Sequence, residues 1–586
     1  MLTEGLRSLR PAKFQPRILE CLKDYGRERF LKDVMAGIAV GIVALSLCIG
    51  LGVASGVSPL AGLFTGVIGG FCVSFFGGSR VQIGGPAGAF VGMIYMLVTN
   101  LQIGLSNVLV CTMLAGVILF VMGLARVGSF IRFVPQPVTA GFTCGIAVTI
   151  LLTQVRPFLG LDLAGVVDGG KEPAEFFHKI GVLAQALPTT QIPALVLGAA
   201  LLAMQLKWPA KWGRFLPGSI VTVILGTLAA AVLHNLPWTR GIAAFDLETI
   251  GSVFPDVKRT LETGTVLERL PKFALPAFDM GKLNVLVAPA FSIAILCAIE
   301  SLLSAVVADG IIDDRHDSNQ ELMGQGIANI LSPLFGGIAV TGVIARTATN
   351  IRSGGTSPVA GVVHAVFLLL VLLFIAPLAL HIPLVALAVV LIVVGWRMGD
   401  WEEFRRLPKR TLGDASVFLT TFALTVCLDL TVAVEVGMIL AAALFVKRVA
   451  DTTQVRAMSE KEGDKDLDPH VEVPRGVIIY RLFGALLFGA ADRLDVVLRR
   501  EMRDTKVVIL QMQHVSALDA TALDRLENMR EKFLRNGRHL VLCGPHTQPY
   551  ALMEREGFID LVGRDNVLGD IPAAVARARE LLGATA

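Results

Sequence analysis

Seven stretches of this chain, near 34–54, 106–124, 134–154, 216–234, 284–308, 357–378 and 413–446, are almost continuously apolar, and the first four contain no Asp, Glu, Lys or Arg. A bilayer core needs about 20 apolar residues per straight helix, so these runs predict a chain that spans a membrane several times. The whole sequence agrees: 54% of its 586 residues are hydrophobic and 17% charged. Further candidates at 59–76, 86–99, 191–206, 321–335, 341–353 and 382–396 are shortened or interrupted by Gly or Pro. Irregular backbone at membrane depth is tolerated only where protein or a cavity satisfies it, which makes the broken spans the functional clue.

The breaks come in two matching places. Phe75-Phe76-Gly77-Gly78-Ser79-Arg80 runs on to Gly84-Gly85-Pro86-Ala87-Gly88 in the first half, and Leu334-Phe335-Gly336-Gly337 to Val340-Thr341-Gly342 in the second. Glycine-mediated helix packing would account for one such pair; recurrence in both halves points to an inverted-repeat transporter with its site near the midplane. If Pro86 and Thr341 begin half-helices pointing at each other, their N–H groups and dipoles converge on a spot that attracts an anion. Pro suits a first helical turn, and Gly84 and Gly85 permit close backbone approach.

Two charged residues stand out against the apolar background. Glu300, in Ala298-Ile299-Glu300-Ser301-Leu302, is flanked by apolar residues; desolvation favours the protonated carboxyl, and ionisable groups inside membranes are a functional hypothesis by default. Arg346, shortly after the second Gly-Gly break, either supplies positive potential to the site or snorkels to the interface. Basic clusters at Arg126/Arg132, Lys207/Lys211/Arg214, Arg397/Arg405/Arg406/Lys409/Arg410 and Lys447/Arg448 predict cytoplasmic loops, with both termini inside. The six cysteines within apolar segments and the single histidines 234, 364 and 381 read as structural or interfacial, and there is no Cys-x-x-Cys, P-loop or nucleophile elbow, so neither an enzyme, a cofactor, a metal site nor nucleic-acid binding is expected.

Four domains follow from composition: a basic tail at 1–32, a transmembrane domain at 33–450, a charged linker at 451–475 and an α/β domain at 476–586, in which Val477–Tyr480, Val507–Leu510 and Leu540–Cys543 read as buried strands.

Gly77-Gly78-Ser79-Arg80 through Gly85-Pro86-Ala87-Gly88-Ala89, Glu300-Ser301-Leu302-Leu303-Ser304, Ser318-Asn319-Gln320-Glu321-Leu322 with Gly324-Gln325-Gly326, and Ala345-Arg346-Thr347 with Asn350-Ile351-Arg352 resemble the SulP family of sulfate permeases and solute carrier family 26. The stretch Gln511 to Leu523 resembles the strand-loop-helix of a STAS domain, with Ala520 where related anti-sigma antagonists carry a phosphorylated Ser. The resemblance implies fourteen transmembrane segments as two seven-helix inverted repeats, core and gate domains moving against each other, a homodimer, and location in a bacterial inner membrane. It implies an anion held between the third and tenth helices by Gly85, Pro86, Ala87, Gly88, Thr341, Gly342, Val343 and Arg346, with Glu300 and Ser304 at the coupling position.

Two departures from the family pattern bear on coupling. Sodium-coupled bicarbonate members resemble this sequence but carry Asp at the position of Glu300 and Thr near Ile344; Ile344 has no oxygen to offer sodium. The expected partners are therefore a small inorganic anion, sulfate ahead of bicarbonate or a dicarboxylate, and a proton rather than sodium. A passive exchanger or channel, and a membrane-tethered signalling platform acting through the STAS domain, are the competing readings. A channel needs no titratable coupling group.

Overall fold

The computed structural model describes residues 12–99, 104–129, 135–167, 172–173, 175–209, 217–235, 246–262, 265–277, 281, 283–428, 430–452, 454–458, 473–487 and 505–583. Two compact units divide at 438/439. Arg132, Lys211 and Arg214 of the basic clusters fall outside the described residues.

The first unit is helical. In chain order, α1 is Arg27–Ala54, α2 Pro59–Phe76, α3 Gly88–Thr99, α4 Leu105–Leu124, α5 Gln136–Thr153, α6 Ile192–Leu206, α7 Gly218–Asn235, α8 Leu283–Ile312, α9 Ser318–Leu334, α10 Ile344–Arg352, α11 Val359–Phe374, α12 Leu384–Met398, α13 Leu412–Cys427 and α14 Leu430–Thr452. Among the described residues six helices are long and apolar enough to cross a bilayer, or seven if the pair Phe176–Thr189 and Ile192–Leu206, bent by 111°, counts as one. The apolar run at 413–446 is two helices, α13 and α14, rather than one span.

The direction of each helix follows from a few hydrogen bonds. α1 has 28 residues, about 42 Å at 1.5 Å each, so its ends lie on opposite faces of the unit. On the face of its N-terminal end, here the near face, the segment before α1 straps the helix ends together: Ala12 N donates to Leu124 O, Arg17 N to Gly77 O and Gln15 N to Gln320 Oε1. Arg17 and Arg80 both pair with Asp314. α2 therefore ends, α4 ends and α9 begins on the near face. At the far end of α1 lies the turn around Gly56, against which Tyr95 and Thr99 of α3 pack.

Asp33, fully buried at the near end of α1, joins that end to the start of α11. Its Oδ1 accepts from Thr356 N at 2.6 Å and Ser357 N at 3.2 Å, and its Oδ2 from Tyr25 Oη at 2.8 Å and from Ser357 Oγ. Burial and the bond to Asp33 push the Tyr25 phenol up to about 12, so it stays a donor throughout the physiological range.

The second unit is an α/β domain. Its sheet has the order β3-β4-β5-β6-β7, with β3 Gln454–Met458, β4 Val477–Leu486, β5 Val507–Leu518, β6 His539–Cys543 and β7 Val567–Leu568. β4 to β7 are parallel and β3 is an antiparallel edge. The three strands expected from sequence lie within β4, β5 and β6. The stretch read as a charged linker is partly regular: α14 runs through Thr452 and 454–458 is β3, because alternation in Gln454-Val455-Arg456-Ala457-Met458 suits an edge strand despite its polar surroundings. One sheet face is covered by α15, Ala520–Arg535, through Leu526, Met529 and Phe533, the other by α16, Ile571–Gly583. Asp519 caps α15 by accepting from Ala522 N at 2.8 Å.

Replacing Asp33 by Ala strands the Ser357 amide and hydroxyl in a buried place, at about 1–3 kcal/mol for each group. Thermal unfolding of the purified protein in detergent is expected to show a Tm several degrees below that of the parent; an unchanged Tm would contradict the bridging role.

Candidate functional site

Both broken spans meet in the interior. β1, Gly84–Gly85, pairs antiparallel with β2, Thr341–Gly342, matching Gly84 with Gly342 and Gly85 with Thr341. The ladder continues as Val343 N donates to Ile83 O at 2.9 Å. Gly85 has φ +153° and a Cβ there would collide with Arg346 Nη1, so only glycine fits.

Each strand feeds a helix. α3 runs from Gly88 toward the far face, where Tyr95 and Thr99 lie beside Gly56; α10 runs from Ile344 toward the near face, where Thr356 and Ser357 meet Asp33. The two N-termini therefore stand head to head across the ladder. The sequence expectation of opposed half-helices matches this geometry, but their starting residues differ from it. Pro86 is not in a first helical turn: the strand pairing and the extended Ala87, at φ −119° and ψ 149°, delay the helix to Gly88. Thr341 lies in β2, and the helix begins at Ile344 with Val343 as its N-cap residue.

Arg346 does not reach an interface. It is 1% exposed, its Nη2 donates to Pro86 O at 3.2 Å and the Cys48 thiol lies beside the guanidinium, while among the described residues no oxygen accepts from Nε or Nη1. Among the described residues no carboxylate pairs with it. The guanidinium rises from the first turn of α10 and lies against the strand that leads into α3, so its charge adds to the positive ends of two helix dipoles.

α8 forms the wall behind the ladder. Thr341 Oγ1 donates to Cys297 O at 3.1 Å and Ser304 Oγ to Thr347 Oγ1 at 3.4 Å. Glu300 sits between these contacts, about 40° around the helix from Ser304; it is partly exposed, and no hydrogen bond or ion pair reaches it among the described residues. Thus the structure gathers Gly85, Pro86, Ala87, Gly88, Thr341, Gly342, Val343, Arg346 and Ser304 around one ladder, with Glu300 on the adjoining wall. The Thr341 hydroxyl is committed to α8. Among the described residues no group of three or more His, Cys, Asp or Glu side chains forms a metal-binding cluster.

The network that holds this site was not anticipated residue by residue. Glu321 is fully buried and accepts four hydrogen bonds, from Gly78 N at 2.8 Å, Ser79 N at 3.2 Å, Ser301 Oγ at 3.0 Å and Gln325 Nε2 at 3.0 Å. Gln82 Nε2 donates to Ser301 O at 3.0 Å, and Asn329 clamps the strand approaching β2 by accepting from Val340 N and donating to Val340 O. Asn350 Nδ2 donates to Val81 O at 2.8 Å. Glu321, Gln325 and Asn329 recur every four residues on α9, a buried polar stripe that could have been read from the sequence.

Fold and site together define a polytopic helical transporter with a small α/β domain. The profile of the sulfate permease family matches residues 30–421, and that of the STAS domain residues 468–572. The chain belongs to the sulfate permease family, whose members are transporters and not enzymes. It is 38% identical over 554 residues to "Putative sulfate transporter YvdB" of Bacillus subtilis, covering 93% of this chain and 97% of that one. It is 29% identical to the bicarbonate transporter BicA of a Picosynechococcus species, covering 92% of each. The solved transmembrane domain of a cyanobacterial BicA superposes with a TM-score of 0.58 at 26% identity, over 71% of this chain and 98% of that one. SLC26A9 shares the fold over 99% of this chain and 94% of its own, with a TM-score of 0.80 at 16% identity.

Substituting Gly85 by Ala drives a methyl into the Arg346 guanidinium and strains a backbone that only glycine adopts easily. Transport in proteoliposomes is expected to fall at least tenfold while α-helical content by circular dichroism stays unchanged; full activity would mean that the Gly85–Arg346 contact does not shape the site.

Proposed function

We propose that this protein is a secondary active transporter that takes up sulfate with protons across a bacterial inner membrane. The anion binds between the N-termini of α3 and α10, at Gly85 to Gly88 and Thr341 to Val343 beside Arg346. The observation that carries this reading is the buried guanidinium, without a carboxylate partner among the described residues, at the meeting point of two helix N-termini. An uncompensated buried cation is costly, and an anion bound there offsets that cost.

Glu300 is the coupling group. When protonated it removes a negative charge from the wall of the site and lowers the electrostatic penalty for holding an anion nearby; Ser304, one turn on, ties that wall to α10 through Thr347. Ile344 at the start of α10 presents no side-chain oxygen for sodium. Sulfate is preferred because the relative that is 38% identical bears that substrate in its name. The similarity to BicA supports a second reading, bicarbonate uptake coupled to sodium. The proposal includes fourteen membrane passes in two inverted repeats, an elevator-like motion of one set of helices against the other, both termini in the cytoplasm, and a homodimer.

Uptake of labelled sulfate into proteoliposomes under an inward proton gradient, an inward sodium gradient or neither tests the reading. Proton-driven accumulation is expected, and Glu300→Gln is expected to keep sulfate binding while losing the response to the proton gradient. Flux driven by sodium alone, or Glu300→Gln uptake that still follows the proton gradient, would overturn proton coupling through this residue.

A further inference from the structure

A second buried charge lies on the other side of α3. The residues Gly88, Gly92, Tyr95 and Met96, one stripe of that helix, face Ile146, Thr149, Ile150 and Thr153 of α5 across a cavity of about 70 Å³. The cavity touches Gly88 at the start of α3 and ends at Lys179 near the far face, the single charged side chain in its lining among the described residues. Glycine at two positions lets α5 come close beside it: a Cβ at Gly88 would lie 2.8 Å from Ile150 Cδ1, and one at Gly92 3.3 Å from Thr149 Cγ2.

Lys179 is 4% exposed and belongs to a set of three contacts that join separate parts of the chain. Its Nζ lies 2.6 Å from Glu172 Oε2 and 5.0 Å from the centroid of the Tyr95 ring, and Tyr95 Oη donates to Glu172 O at 2.9 Å. Tyr95 belongs to α3, whereas Lys179 belongs to the helix Phe176–Ala186, which is bent by 111° from α6. The contacts thus latch the far end of α3 to the segment covering it. The three threonine hydroxyls along the cavity are turned inward to their own helices: Thr149 donates to Gly145 O, Thr153 to Ile150 O and Thr425 to Thr421 O. Among the described residues Lys179 is therefore the one charged side chain of the lining that can draw an anion, at the end of the cavity away from the α3 N-terminus.

We propose that this cavity is the anion's path from the far face to the junction of the half-helices, and that Lys179 is its receiving cation, shared between Glu172 and an arriving anion. The proposal rests on the anion-transport reading above. An anion at the mouth displaces the Glu172 carboxylate from Lys179 and loosens the latch on Tyr95, and then moves along the Gly92–Gly88 side toward Arg346. With no anion present, the Glu172–Lys179 pair closes the mouth and keeps α3 seated.

Initial uptake rates across a range of sulfate concentrations, with Lys179→Gln, Glu172→Gln and the parent in proteoliposomes, test this. Lys179→Gln is expected to raise KM roughly tenfold with Vmax largely kept, and Glu172→Gln, which frees the lysine, to lower KM. Opposite shifts are diagnostic, because a pair that merely stabilised the fold would impair both variants alike. KM shifts in the same direction, or none in either variant, would overturn the proposal. Gly92→Ala, whose methyl narrows the cavity beside Thr149, is expected to slow uptake while α-helical content stays parental; parental rates in that variant would overturn the path. A parent protein that moves no sulfate would instead refute the transport reading on which the proposal rests.

Discussion

Four residues from opposite halves of the chain, Gly84–Gly85 and Thr341–Gly342, pair as strands inside a membrane unit. The bilayer interior offers no water to a broken helix, so each backbone group released by the two breaks needs a partner within the protein. The ladder supplies part of that satisfaction and, in doing so, sets where α3 and α10 begin. Their opposed N-termini then bring positive potential to one place, to which Arg346 adds a full charge.

Satisfying the rest of the irregular backbone is the task of polar side chains on neighbouring helices. Glu321 gathers the Gly78 and Ser79 amides and ties them to Ser301 on α8. Asn329 takes both polar groups of Val340, Asn350 takes Val81 O, and Thr65 accepts from Ile338 N. Thr65 begins a wider π-type turn in α2, the kind of local adjustment that accompanies functional breaks in helices. The N-terminal segment and Asp33 satisfy backbone groups in the same way at the near ends of the helices.

Much of this architecture was legible in the sequence because hydrophobic length and Gly-Gly breaks report directly on membrane physics. The runs at 34–54, 106–124 and 284–308 became α1, α4 and α8, and the breaks after Phe76 and Phe335 mark where the two spans are interrupted. What the sequence could not place were pairings between residues far apart in the chain. Nothing local to Pro86 says that strand pairing with 341–342 delays the helix by two residues, and spacing alone left Arg346 divided between the site and the interface. Its burial against Pro86 O is a tertiary fact. Nor does the charge of Gln454 to Met458 reveal an edge strand, since its partner, β4, begins beyond the intervening residues. The Glu321–Gln325–Asn329 stripe, by contrast, was visible and is the signal that a reader of such sequences should weigh.

The central claim is that one anion sits where the N-termini of α3 and α10 oppose each other beside Arg346. Selenate, a sulfate mimic with a strong anomalous signal, would locate it directly in crystals of the protein. The account predicts a selenium peak within hydrogen-bonding reach of the first-turn amides of both helices, about 3 Å away, that is lost in Arg346→Gln. A peak bound elsewhere in the transporter unit, with the space between the two helix ends holding only water, would contradict it.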